Sequence, residues 1–219
     1  MRDIFHDELD DIGKRVLEMI KLAAIAMEKA TQSLLGANLT LADEVDRGYR
    51  RIESLSAELE DRAFQLIAQQ QPVATDLRVL TSTIHLGADL ERMGGLANHV
   101  AKIARLRHPE RAVPPEARDI ISQMGEVARS LVTRVADVVD GRDVALAQAI
   151  ETEDDSMDAL RRKLFLLVLS DNWSRGTEAA IDMTLVGRYY ERYADHAVSV
   201  ARQTIFIVTG EHPHKQALR

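Results

Sequence analysis

The chain has 219 residues, of which 46% are hydrophobic, so it can bury a sizeable core, and disorder as its main state is excluded. Aromatic residues make up only 4%, which favours closely packed helices built from Leu, Ile, Val, Met and Ala. The net charge of -7 is spread evenly over both halves and cysteine is absent, which excludes a basic nucleic-acid module, disulfides and thiolate sites.

Six helices are predicted because apolar residues recur at helical spacing almost throughout the chain. Strand-like alternation is sustained nowhere in the sequence. Glycine, proline and short polar clusters separate the periodic segments. The predicted helices span approximately residues 3–36, 39–70, 73–107, 115–140, 143–170 and 176–209.

A proline-rich stretch, RHPERAVPPE at residues 107–116, divides the six helices into three and three. Residues 87–101 align with 187–201 at an offset of 100, with six identities in 15 positions, and residues 41–55 overlay 146–160 at an offset of 105. We therefore predict an all-α fold of two tandem antiparallel three-helix bundles, residues 1–109 and 110–219, related by internal duplication.

The N-terminal sequence MRDIFHDELDD carries acids where a signal peptide needs a basic stretch and an apolar run. The longest apolar run, LFLLVL at residues 164–169, is far shorter than the roughly 18 residues that a membrane span requires. We expect a cytoplasmic protein that meets a membrane only indirectly, through partners.

Acidic residues are densest in ETEDDSMD, residues 151–158, and a second pair occurs in YYERYADHA, residues 189–197. Residues three and four apart share one face of a helix. The acids that lie together in this way are Glu151, Asp154, Asp155 and Asp158 in the first segment, and Glu191 and Asp195 in the second.

Two interpretations of these acids remain open. In the first, they are solvated faces paired with Arg161 and Arg162, or with Arg188 and Arg192. In the second, the two groups of carboxylates face each other in one bundle and form an oxygen-rich site for hard cations, iron or manganese. His196, which follows Asp195 directly, is a possible outer ligand.

Common catalytic patterns are absent from the sequence, which has no phosphate-cradling glycine loop, no HExxH and no GxSxG. The Glu-x-x-His ligand set of di-iron bundles is also missing from the helix interiors. A binding protein that is not an enzyme is therefore favoured. A carboxylate-bridged metal enzyme or metal store on a helical bundle remains the alternative.

Four segments together carry a family resemblance: QQQPVATDLR (69–78), DLERMGGLA (89–97), DDSMDAL (154–160) and YYERYADHA (189–197). In this combination the chain resembles the PhoU family of phosphate-transport regulators, from about residue 5 to residue 210. The resemblance implies a cytoplasmic protein that is often a homodimer. It also implies a negative regulator that links the ATPase of a phosphate ABC transporter to a phosphate-sensing histidine kinase.

The resemblance further implies clustered metal ions, such as iron, manganese, zinc or magnesium, bound by a repeated E(D)xxxD motif. The second repeat keeps both copies of the motif, as Asp154 with Asp158 and Glu191 with Asp195, and Glu151 and Asp155 are possible additional ligands. The first repeat retains Glu53 and Glu91, but Tyr49 and Gly95 stand where their partners are expected. We therefore expect at most one well-formed cluster, on the second bundle.

Overall fold

Residues 2–153 and 155–211 are described by a computed structural model, and this part of the chain contains no strand. The first half forms helices α1 (Arg2–Gly36), α2 (Leu39–Gln70) and α3 (Ala74–Arg107). A 3-10 turn, Pro115–Ala117, precedes α4 (Arg118–Gly141), α5 (Val144–Glu153), α6 (Asp155–Val168) and α7 (Gly176–Thr209). The all-α prediction is confirmed, and α5 and α6 together occupy the predicted fifth segment.

The helices pack as two bundles that share one core. Helices α1, α2 and α3 contact one another, and α4 contacts α5, α6 and α7. The bundles meet through equivalent helices, α1 against α4 and α3 against α7, and their buried residues form one continuous apolar cluster. The domain boundary near residue 109 therefore stays a prediction from the sequence, because the core itself runs across it.

The duplication is visible in the turns that start the second helix of each bundle. Ala37 and Arg142, which are 105 positions apart, both adopt left-handed backbone conformations, with φ of 51° and 50°. The next residues, Asn38 and Asp143, each accept a hydrogen bond from the backbone N–H three positions on, at 3.2 and 3.0 Å. Such side-chain caps satisfy a free N–H at a helix start. The two bundles thus repeat down to the level of single hydrogen bonds.

Glycines in α3 and α7, the last helix of each bundle, confirm the register between the repeats. A Cβ atom added to Gly87 on α3 would lie 3.4 Å from Oγ of Ser56, and one added to Gly187 on α7 would lie 3.7 Å from Cγ of Arg161. Gly87 and Gly187 are 100 positions apart, and Ser56 and Arg161 are 105 positions apart. Both sequence offsets therefore hold in three dimensions, and the bundles can be compared position by position.

Two tyrosines of α7 hold the bundles together. Tyr190 and Tyr193 are fully buried and extend from α7 to α1 of the other bundle. The hydroxyl of Tyr190 lies 2.6 Å from Oγ1 of Thr31, and that of Tyr193 donates to the carbonyl oxygen of Ala23 at 2.9 Å. Because buried hydroxyls without partners are costly, these bonds define one relative position of α1 and α7.

A second connection joins the end of α3 to α7 beside the linker. The guanidinium of Arg107 donates to both carboxylate oxygens of Asp182, at 2.6 and 3.1 Å, and also pairs with Glu178. The Asp182 side chain is buried, so this ion pair is shielded from solvent. Removal of the Arg107 guanidinium would leave the buried carboxylate of Asp182 without its ion-pair partner.

The apolar run at residues 164–169 covers the end of α6 and the residue after it, and it is only partly buried. Leu164 is buried in the core, whereas Phe165, Leu166 and Leu169 are exposed. No helix in the described part of the chain combines the length and the apolar character needed to cross a membrane. The exposed part of this run is therefore a surface feature of the second bundle.

Candidate metal site on the second bundle

The described acids of the predicted site lie along the edge where α6 and α7 run side by side. Asp158 stands on α6, and Glu191 and Asp195 stand one helical turn apart on α7. Asp155 occupies the first turn of α6 and is exposed. Asp154 and the side chain of Glu151 lie outside the described residues. Three of the four principal predicted ligands can thus be placed, all on the outer face of the second bundle.

Glu191 is held between two arginines, one from each helix. Arg188 on α7 donates to one of its carboxylate oxygens, and Nε of Arg161 on α6 lies 3.4 Å from the other. The Glu191 side chain is only 13% exposed. The ion-pair interpretation therefore holds for Glu191, although its second partner is Arg161 and not Arg192. Arg192 has no ion-pair partner among the described residues.

Asp195 differs from Glu191, since it has no hydrogen-bond or ion-pair partner among the described residues. Partial burial of its carboxyl raises the pKa of Asp195, and the negative charge of Glu191 adds to the rise, while Arg188, Arg192 and His196 oppose it. A carboxylate beside a like charge is stabilised by a cation. Asp158 also lacks a partner within the described part of the chain.

The donor chemistry of this edge suits oxygen-preferring metal ions. Among the side chains that the structure describes, no three histidines or acids converge closely enough to hold a metal ion. A complete ligand set therefore depends on the segment around Asp154, and the metal site stays a prediction.

The first bundle carries a tyrosine where the second has an acid. The ring of Tyr49 lies over Gly94 and Gly95: added Cβ atoms there would be 3.3 and 3.6 Å from its ring carbons. Burial, followed by a hydrogen bond to Glu53 and the charge of Glu91, raises the pKa of Tyr49 to about 12. A neutral phenol fills this position, so the structure explains why Glu53 and Glu91 have no carboxylate partners here.

His196 faces the other bundle, which the sequence did not indicate. Its Nδ1 lies 2.9 Å from one carboxylate oxygen of Asp89 on α3, and Ser199 donates to the other at 2.7 Å. The position equivalent to Asp89 in the second repeat is Tyr189, so the duplication gives no signal for this contact. His196 therefore has a partner at the bundle interface, and its outer-ligand role stays a prediction.

Taken together, these features define a class: an all-helical protein of two duplicated bundles, with the acids of a candidate metal site along one edge of the second bundle. The family model described as "PhoU domain" matches the chain twice, at residues 16–104 and 121–204. The chain therefore belongs to the PhoU family.

Two curated relatives match nearly the full length. A protein of Mycobacterium tuberculosis named phosphate-specific transport system accessory protein PhoU homolog 2 is 49% identical, over 97% of this chain and 100% of that protein. A Mycobacterium leprae protein named phosphate-specific transport system accessory protein PhoU homolog 1 is 47% identical, over 97% of this chain and 96% of that protein. The crystal structure of PhoU from Pseudomonas aeruginosa superposes with a TM-score of 0.85 at 26% identity, covering 94% of this chain and 100% of that chain.

Proposed function

We propose that this protein is a cytoplasmic negative regulator of phosphate uptake and phosphate-starvation signalling. It acts as an adaptor between the ATPase of a phosphate ABC transporter and a phosphate-sensing histidine kinase, and it works as a homodimer. The observation that carries the proposal is full-length membership of the family, with relatives named as accessory proteins of phosphate-specific transport at 47% and 49% identity.

The second bundle supplies the proposed metal site of this adaptor. Asp154, Asp158, Glu191 and Asp195 bind clustered iron, manganese, zinc or magnesium ions, with Glu151 and Asp155 as further ligands. Metal ions would neutralise neighbouring carboxylates and cross-link the two helices that carry them. Neither Asp158 nor Asp195 has a hydrogen-bond or ion-pair partner among the described residues, and this supports the assignment, since both carboxylates remain available to a cation.

A binding role fits this edge better than catalysis does. Asp158 and Asp195 are exposed on an outer helix face, whereas enzyme sites enclose their reacting groups in a cleft. The alternative, a carboxylate-bridged metal enzyme or metal store, makes a different prediction. Turnover of oxygen or peroxide by the metal-loaded protein would support that alternative against the adaptor.

Complementation tests the proposed function. In a bacterium that lacks its own PhoU-family gene, we expect this chain to restore repression of a phosphate-starvation reporter at high phosphate. Purification of the tagged full chain from membranes of that strain should recover the transporter ATPase and the histidine kinase. Failure to repress, together with recovery of neither partner, would reject the adaptor role.

A further inference from the structure

The outer surface of the second bundle exposes large apolar side chains beside the candidate metal site. They lie on the second half of α6, in the turn after it, and on the first half of α7, and each is between 40% and 66% exposed. These residues are Phe165, Leu166, Leu169, Ile181 and Leu185. Exposed apolar residues that cluster in this way mark interaction surfaces more often than single ones do.

Part of this surface is a groove between the two helices, with a volume of about 200 Å³. Phe165 and Val168 line one wall and Leu185 lines the other. At the floor, Gly187 allows close approach of α6, because an added Cβ would lie 3.1 Å from Cδ2 of Leu164. The groove is concave and apolar, and one end of it is bordered by Arg161 and Arg188.

The first bundle serves as an internal reference for this surface. Four of its five equivalent residues are polar, namely Glu60, Asp61, Thr81 and His85. Only Leu169 has an apolar counterpart, Phe64. Because the same helix pair folds with polar residues at these positions, the fold does not require their apolar character in the second bundle.

The charged residues around the groove indicate the sign of the charge expected on its partner. The charged residues that line the groove are Arg161 and Arg188, both basic, and both pair with Glu191, which lies outside the lining. Arg162 lies one turn before Leu166, is exposed, and has no ion-pair partner within the described residues. Complementary charge at the rim of an apolar surface steers association and excludes partners of the wrong sign.

We propose that this groove binds an amphipathic helix of a partner protein, with acidic residues beside its apolar stripe. Each side of the surface offers apolar residues four positions apart, Phe165 with Leu169 and Ile181 with Leu185. This spacing matches successive turns of an incoming helix. The proposal rests on the adaptor role, because an adaptor requires a protein partner.

Two other occupants fit these observations less well. A twofold contact between copies of the chain places the same surface on both sides. Both copies would then bring Arg161, Arg162 and Arg188 to one interface. A membrane surface is flat on this scale and would leave the groove above Gly187 unfilled.

Peptide binding tests the proposal without reference to phosphate signalling. Two fluorescent amphipathic peptides of about 18 residues share one leucine stripe and differ only in flanking Glu or Lys residues. With the full chain, the Glu peptide should show saturable anisotropy that weakens with added salt, and the Lys peptide should bind at least roughly tenfold more weakly.

Matched variants locate the binding surface. Phe165→Glu combined with Leu169→Glu should weaken binding of the Glu peptide by roughly tenfold or more, since Phe165 lines the groove. Arg162→Glu should reduce the preference of the protein for the Glu peptide over the Lys peptide. Phe64→Glu, at the position equivalent to Leu169 in the first bundle, and Lys21→Glu on α1 should leave binding unchanged. Circular dichroism should show native helix content in every variant, since all of these side chains are exposed.

Several results would overturn the proposal. These include absence of saturable binding by the Glu peptide, equal binding of both peptides, and equal sensitivity to Phe64→Glu. If the wild type is a dimer and Phe165→Glu combined with Leu169→Glu makes it monomeric, the groove would be assigned to a second copy of the chain. Loss of binding to phosphatidylglycerol vesicles in that variant would assign it to a membrane. If the Glu peptide binds but complementation fails, the adaptor role would be rejected and the groove would remain a helix-binding site.

Discussion

The hydroxyl of Tyr190 on α7 lies 2.6 Å from Oγ1 of Thr31 on α1, in the buried contact between the two bundles. Thr31 also donates to the carbonyl oxygen of Met27 at 2.8 Å, so Tyr190 acts as the donor to Thr31. The equivalent residue in the first repeat is Leu90. The duplicated bundles are therefore joined by a polar contact whose tyrosine has no counterpart in the first repeat.

Tyr190→Phe should lower the free energy of unfolding by about 1 kcal/mol, because it removes one buried hydrogen bond and retains the ring. Tyr190→Ala should cost about 3 to 5 kcal/mol, since it also leaves a cavity in the shared core. Urea denaturation measures both changes. Tyr189→Phe, on the half-buried neighbour, is the control and should have little effect; equal losses for Tyr189→Phe and Tyr190→Phe would contradict the assigned role.

Alkaline pH should destabilise the protein through its buried tyrosines. Burial raises the pKa of both Tyr190 and Tyr193 above the ordinary tyrosine value of about 10. The unfolded chain therefore releases these protons first, and their contribution to stability is complete below pH of about 10 and declines above it. Urea midpoints between pH of about 8 and 11 should fall less steeply after Tyr190→Phe with Tyr193→Phe. Identical slopes would argue against burial of these phenols.

Gly125 on α4 should be intolerant of a side chain. An added Cβ would lie 2.7 Å from Cγ2 of Thr31, so α1 and α4 would have to separate. We expect Gly125→Ala to lower the free energy of unfolding by about 1 to 3 kcal/mol. Gly48→Ala, within α2 and with no neighbouring atom within 4 Å, should raise it by about 0.5 to 1 kcal/mol through helix propensity. Thermal unfolding of both variants checks this, and a stabilising Gly125→Ala would be inconsistent with the close packing.

Metal content should depend on the second repeat alone. In protein purified without chelator, elemental analysis should find less bound metal in Asp158→Ala and in Asp195→Ala than in the wild type, because each loses a proposed ligand. Glu53→Ala is the matched control, since Glu53 occupies the position equivalent to Asp158. Equal metal content in all four proteins would exclude the proposed site.

Much of the fold could be predicted from the sequence, because helical periodicity and repeat offsets depend on local spacing. The sequence offset of 105 predicted that the turns at Ala37 and Arg142 are equivalent. The offset of 100 predicted that Gly87 and Gly187 occupy equivalent positions. The departure of Tyr49 from the acidic motif was also visible in the sequence. That the tyrosine ring lies over Gly94 and Gly95 required the packed structure.

Contacts between distant helices could not be predicted in this way. The spacing allowed Arg188 to pair with Glu191 on the same helix, but it did not indicate that Arg161 of α6 joins them, or that Asp89 contacts His196. The apolar run at residues 164–169 was too short for a membrane span, but it offers apolar residues around the whole helix. Periodicity cannot decide which side of such a helix is covered, and only the packing of α6 against α7 revealed the groove.

The central claim is that the second repeat retains the functional edge and the first repeat has lost it. The most direct test measures a phosphate-starvation reporter in the complemented deletion strain, with paired substitutions at equivalent positions and equal protein levels. We predict that Asp158→Ala with Asp195→Ala abolishes repression at high phosphate, whereas Glu53→Ala with Glu91→Ala retains it. Full repression by the second-repeat variant, or equal loss in both variants, would contradict the claim.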